Sequence, residues 1–224
     1  SLPNWRIDSP MSIAVLIRPG CTDYDEQHRI QGALDLPLND RGRQQVDRLI
    51  DELRGQKLEK IFTSSSEPAH STAIAVGDSL DVPVKELDGL RNFDQGLWQG
   101  LQVDDVRRKY PKAYKQWNES PESICPPEGE PVEELAERVR RALRKPMKRG
   151  TRFAVVASEP IAMLVRGVIT GSESSTPGPI CGDADVERIE VLHFGEDESV
   201  NGANGNGKTV PVSAASIPNG GGEV

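Results

Sequence analysis

Nucleophilic side chains are scarce in this sequence. Its 224 residues include three histidines, His28, His70 and His193, and three cysteines, Cys21, Cys125 and Cys181. The most suggestive grouping lies near the N-terminus, where Arg18-Pro19-Gly20-Cys21 closes an apolar run. A guanidinium close to a thiol can lower its pKa and make it reactive. The plain alternative is a small buried or half-buried thiol, a common state for a free cysteine. His28 falls in a loop, His70 on a helix and His193 on the Ile189/Val191 face of a strand, so each reads as a surface or core residue. Asp25, Asp94 and Glu159 are the acidic candidates for a metal site, but they have no histidine partner and no recognisable ligand spacing. No metal site and no cofactor is expected.

The elements that would position these residues follow from periodicity. SIAVLI at 12–17 ends at Pro19-Gly20, as a buried strand entering a loop does. Asn39 is a candidate N-cap for a helix whose Val46, Leu49, Ile50 and Leu53 share one face. Strands are expected at 59–64 and 82–87, with a helix at about 69–79 between them. Two short helices are expected between 102 and 118, the second opened by Pro111. Residues 118–131 form an acidic, Pro-rich loop, read as a solvated lid. An amphipathic helix follows, with Val132, Leu135, Ala136, Val139 and Leu143 on its stripe. A buried strand at 153–158, an apolar helix at 161–169, a Ser/Pro/Gly linker at 171–184 and an outer strand at 186–194 complete the order. This alternation predicts a three-layer α/β/α domain around a mostly parallel mixed sheet, with ligands at the carboxyl ends of its strands.

Composition sets outer bounds. A net charge of −8 argues against nucleic acid or an anionic membrane as a partner held by general electrostatics. Three widely spaced cysteines without a CxxC pair fit a reducing cytoplasm better than a disulfide framework. No apolar run approaches the roughly 20 residues of a membrane span, and residues 1–10 show neither the basic start nor the apolar stretch of a secretory signal. The division expected is an N-terminal extension at 1–11, one domain at 12–194, and a disordered Gly/Asn/Ser-rich tail at 195–224.

Several segments, in order, resemble the histidine phosphatase superfamily, the phosphoglycerate mutase-like enzymes. Residues 17–42 read IRPGCTDYDEQHRIQGALDLPLNDRG, with Arg18, Gly20, Thr22, Arg29, Gln31-Gly32, Asp35, Pro37-Leu38 and Gly42 in place. FTSSSEPAHSTA at 62–73, LRNFDQGLWQG at 90–100, PPEGEPVEELAERV at 126–139 and VVASEPIAMLVRGVI at 155–169 continue the match. The resemblance implies a phosphoglycerate mutase-like fold and a pocket in which one histidine attacks phosphorus. A second histidine and two arginines hold the phosphoryl group, and a carboxylic acid protonates the leaving oxygen.

Four of those positions carry other chemistry in this sequence. The nucleophile position is Pro19, the second histidine is Glu159, the second arginine is Pro68 and the acid is Asn92; Arg18 remains. Removing an essential nucleophile typically lowers a rate by about 10⁶. A carboxylate at 159, about 5 Å from a phosphate dianion at an effective dielectric near 20, would add roughly 6 kcal/mol of repulsion. No catalytic residue is therefore expected, and the sequence reads as a pseudoenzyme kept for binding or regulation. Arg18, Thr22, Asp25 and Arg29 are its candidate ligand contacts, with a small anionic ligand or a protein as partner. Arg18 either still meets an anion or pairs with Glu159; the guanidinium's preference for carboxylates favours the pair. The alternative is a phosphatase or mutase-type hydrolase, or another enzyme, that uses altered pocket residues such as Cys21 or Glu159.

Overall fold

The computed structural model describes residues 12–149, 152–172 and 177–195. Five strands form one sheet: β1 (Ser12–Ile17), β2 (Lys60–Thr63), β3 (Val84–Glu86), β4 (Phe153–Val156) and β5 (Ile189–Phe194). Their order is β3-β2-β4-β1-β5, parallel except for β5, which runs antiparallel along β1 at one edge. Residues on β1 and β4 alternate between two cores, as the pleat requires. Val15, Ile17, Ala154 and Val156 face α2 (Asp40–Leu53) and α3 (Ala69–Leu80). Ala14, Leu16, Phe153 and Val155 face α6 (Val132–Lys148) and α7 (Ile161–Thr170). The result is the three-layer α/β architecture expected from the sequence.

Local chemistry accounts for the element ends. The side chain of Asn39 caps α2 by accepting from Gly42 N at 2.8 Å. Thr22 and Asp25 form a capping box around the single turn α1 (Asp23–Glu26). Pro111 opens α5 (Pro111–Glu119) directly after α4 (Val103–Lys109). Trp98 is fully buried against Tyr110 and Trp117 at this helical pair.

The expected strands at 59–64, 82–87, 153–158 and 186–194 all come out shorter. The third strand begins at Val84 rather than 82, because Val82 N bonds back to Gly77 O and closes the preceding helix. The last begins at Ile189 rather than 186, since Val186 N turns back onto Asp183 O while Arg188 O accepts from Arg18 N. The loop at 118–131 holds one short helical turn at Pro121–Ser123. The expected extension at 1–11, and all of the expected tail but Gly195, lie outside the described residues. Among the described residues no helix is long and apolar enough to cross a membrane.

Candidate functional site

Parallel pairing of Ile17 with Val156, and of Phe62 with Val155, brings the carboxyl ends of β1, β4 and β2 side by side. Arg18-Pro19-Gly20, Ser158-Glu159 and Pro68 thereby meet, although they are up to 141 residues apart in the chain. The loop after β3 adds Asn92 and Gln95. The segment from Cys181 to Arg188 closes the remaining side of a cavity of about 40 Å³. Close approach fixes this closing segment: a Cβ at Gly178 would collide with Glu159 Oε2, and one at Gly182 with Asp25 Oδ1.

Arg18 and Glu159 face each other inside this cavity. Arg18 Nε donates to Glu159 Oε1 at 2.7 Å, with the two side chains only 10% and 6% exposed. The guanidinium continues to Met163 Sδ at 3.7 Å and to Glu190 Oε2 at 3.6 Å, and Glu190 pairs in turn with Arg166 at 2.7 Å. Burial pushes the Glu159 carboxyl above the ordinary glutamate range, and the nearby Arg18 charge and hydrogen bond only partly offset it.

The other expected ligand contacts divide. Asp25 lines the cavity, but its Oδ2 already accepts from Thr22 N at 2.6 Å and Thr22 Oγ1 at 2.9 Å. Thr22 is the helix cap. Arg29 points away, to Gln27 Oε1 and to Gly100 O at 2.8 Å. Cys21 is 1% exposed and donates to Asn39 Oδ1 at 3.3 Å. Burial raises its pKa, and the nearby Arg188 charge opposes this less strongly. It is a structural thiol rather than an activated one. His28 and His193 are exposed, and His70 bonds to Glu86 at 3.1 Å, all outside the cavity lining. Among the described residues, no three His, Cys, Asp or Glu side chains converge to hold a metal ion.

Two residues that sequence reasoning passed over shape the site from behind. Arg138 of α6 is buried, and each of its five hydrogen bonds has a separate acceptor. Glu130 takes two through Oε1 (2.7 Å) and Oε2 (2.9 Å); the carbonyls of Gly89, Arg91 and Asn92 take the rest. This fork holds the 89–92 loop so that Asn92 enters the cavity. The available signal was position 138 itself, three residues after Leu135 on the apolar stripe, where a buried arginine requires a partner.

The profile of the histidine phosphatase superfamily (branch 1) matches residues 14–197, and the chain belongs to that family. Phosphoserine phosphatase 1 of Hydrogenobacter thermophilus is 29% identical over 150 residues, covering 66% of this chain and 71% of that protein. Phosphoglycerate mutase-like protein 4 of Arabidopsis thaliana is 32% identical over 147 residues, covering 63% of this chain and 64% of that one. A mycobacterial glucosyl-3-phosphoglycerate phosphatase solved in complex with VO3 superposes with a TM-score of 0.70 at 24% identity, covering 81% of this chain and 90% of its own. That likeness establishes the fold alone.

Proposed function

We propose that this chain is a non-catalytic member of the histidine phosphatase superfamily, retained to bind a small ligand or a protein partner. One observation carries this reading: the arginine that would receive a phosphoryl group is closed onto Glu159 at 2.7 Å in a buried pair. An incoming dianion would have to displace a carboxylate from that arginine and would then lie beside it. Pro19 offers no nucleophile and Asn92 no acidic proton, so attack and leaving-group protonation both lack a donor of the required kind. Unpaired cysteines at 21, 125 and 181 suit a reducing, cytoplasmic setting.

A second reading, a phosphatase-type hydrolase working through altered residues, draws support from the names of the relatives, several of which are phosphatases. On names alone it is the better supported. The chemistry of the pocket weighs against it, since Cys21 is buried with a raised pKa and Glu159 is engaged by Arg18. Assay of the whole chain with p-nitrophenyl phosphate separates the two. The expected result is no release above buffer; turnover that Arg18→Ala abolishes would establish the hydrolase.

A further inference from the structure

The polarity of the cavity identifies what it can hold. Three carboxamides line it, and each donates from its NH₂ group to at least one backbone carbonyl. Asn92 Nδ2 donates to Glu67 O at 2.9 Å; Gln31 Nε2 donates to Glu67 O at 2.7 Å and Leu34 O at 2.8 Å; Gln95 Nε2 donates to Ile180 O at 2.9 Å. A carbonyl only accepts, so these bonds fix which end of each amide is the nitrogen and which the oxygen. Asn92 is 7% exposed, and its Oδ1 is buried with no partner among the described residues. The buried Ser158 Oγ is in the same position.

The charges agree with the amides. Among the described lining residues, Asp25, Glu159 and Asp183 face two guanidiniums. Arg18 is already bound to Glu159, and Arg188 donates to the carbonyls of Pro19 and Ala184. We infer that this cavity receives a primary ammonium group, the head of a small amine, in place of an oxyanion. The inference rests on reading the pocket as non-catalytic. An ammonium has three donors and no acceptor, which matches a wall of amide, hydroxyl and carboxylate oxygens. An oxyanion would meet the three lining carboxyl groups and the unpartnered Asn92 oxygen as acceptor against acceptor. A cavity of about 40 Å³ has room for an amine head, since one water occupies roughly 10–15 Å³ by the same measure.

Titration of the whole ¹⁵N-labelled chain with methylammonium chloride tests this, read at the Asn92 side-chain NH₂ resonance. Tetramethylammonium chloride and sodium phosphate at equal ionic strength serve as comparisons. The expected result is a saturable shift with methylammonium alone, weakened about fivefold by Ser158→Ala, the effect of losing one hydrogen bond. Because Ser158 Oγ has no partner among the described residues, that variant is expected to keep the fold, which its ¹⁵N spectrum checks. An equal response to tetramethylammonium, tighter binding of phosphate, or no saturable shift with methylammonium would each overturn the inference. If the amine fails to bind a protein that turns over no phosphate monoester, only this inference falls. Turnover of p-nitrophenyl phosphate instead removes the non-catalytic reading, whatever the amine titration shows.

Discussion

At Glu159 two effects act on one carboxyl group: removal from water favours its neutral form, and Arg18 at 2.7 Å favours its charged form. Burial is the larger, so the folded pKa lies above the ordinary glutamate value of about 4.3. Between those two values the native state binds more protons than the unfolded chain, and stability must fall as pH rises. The contribution is fully present below about pH 4.3 and is lost as pH climbs through the folded pKa. Urea unfolding of the wild type and Glu159→Gln across this interval isolates the group. The stability difference, wild type minus variant, is expected to shrink with rising pH and then level off. A difference that grows with pH would mean that Arg18 outweighs burial.

At the scale of elements, α6 acts as more than a cover for the sheet, because Arg138 ties it to the loop that delivers Asn92. Arg138→Met would leave the half-buried Glu130 with only Arg91, 3.7 Å away, and take the Arg138 donors from three carbonyls. The expected cost is about 3–5 kcal/mol, the range for breaking one side of a buried pair. Arg138→Lys should recover little of it, since one ammonium cannot reproduce the guanidinium fork; urea denaturation measures both. This fork also marks where sequence reading stopped. The stripe from Val132 to Leu143, the Asn39 cap and the apolar runs of β1 and β4 were legible because each follows from local spacing. The Arg18–Glu159 pair could be anticipated because the family resemblance put both residues in one pocket. The orientations of the carboxamides could not, since each depends on a carbonyl brought close by tertiary structure: Glu67 O for Asn92 and Gln31, Ile180 O for Gln95. Nor could the closing of the cavity by the segment from Cys181 to Arg188, because a linker's path over a site has no periodicity to reveal it.

For the molecule as a whole, the question is whether the scaffold or only its pocket has diverged. The sheet order and the two helical layers belong to a fold shared with the superposed phosphatase, and the proposed non-catalytic reading puts the changed chemistry at positions 19, 68, 92 and 159 alone. If the scaffold is intact, restoring all four side chains together should restore function. The combined variant Pro19→His, Pro68→Arg, Asn92→Glu and Glu159→His is expected to hydrolyse p-nitrophenyl phosphate above background. Pro19→His alone should not. With Glu159 in place, Arg18 stays engaged with it, and the new imidazole would lack the guanidinium that a phosphoryl group needs. Changing Glu159 to His also breaks the pair that occupies Arg18 and returns that guanidinium to the phosphoryl group. A combined variant that stays folded yet silent would place the divergence in the scaffold as well.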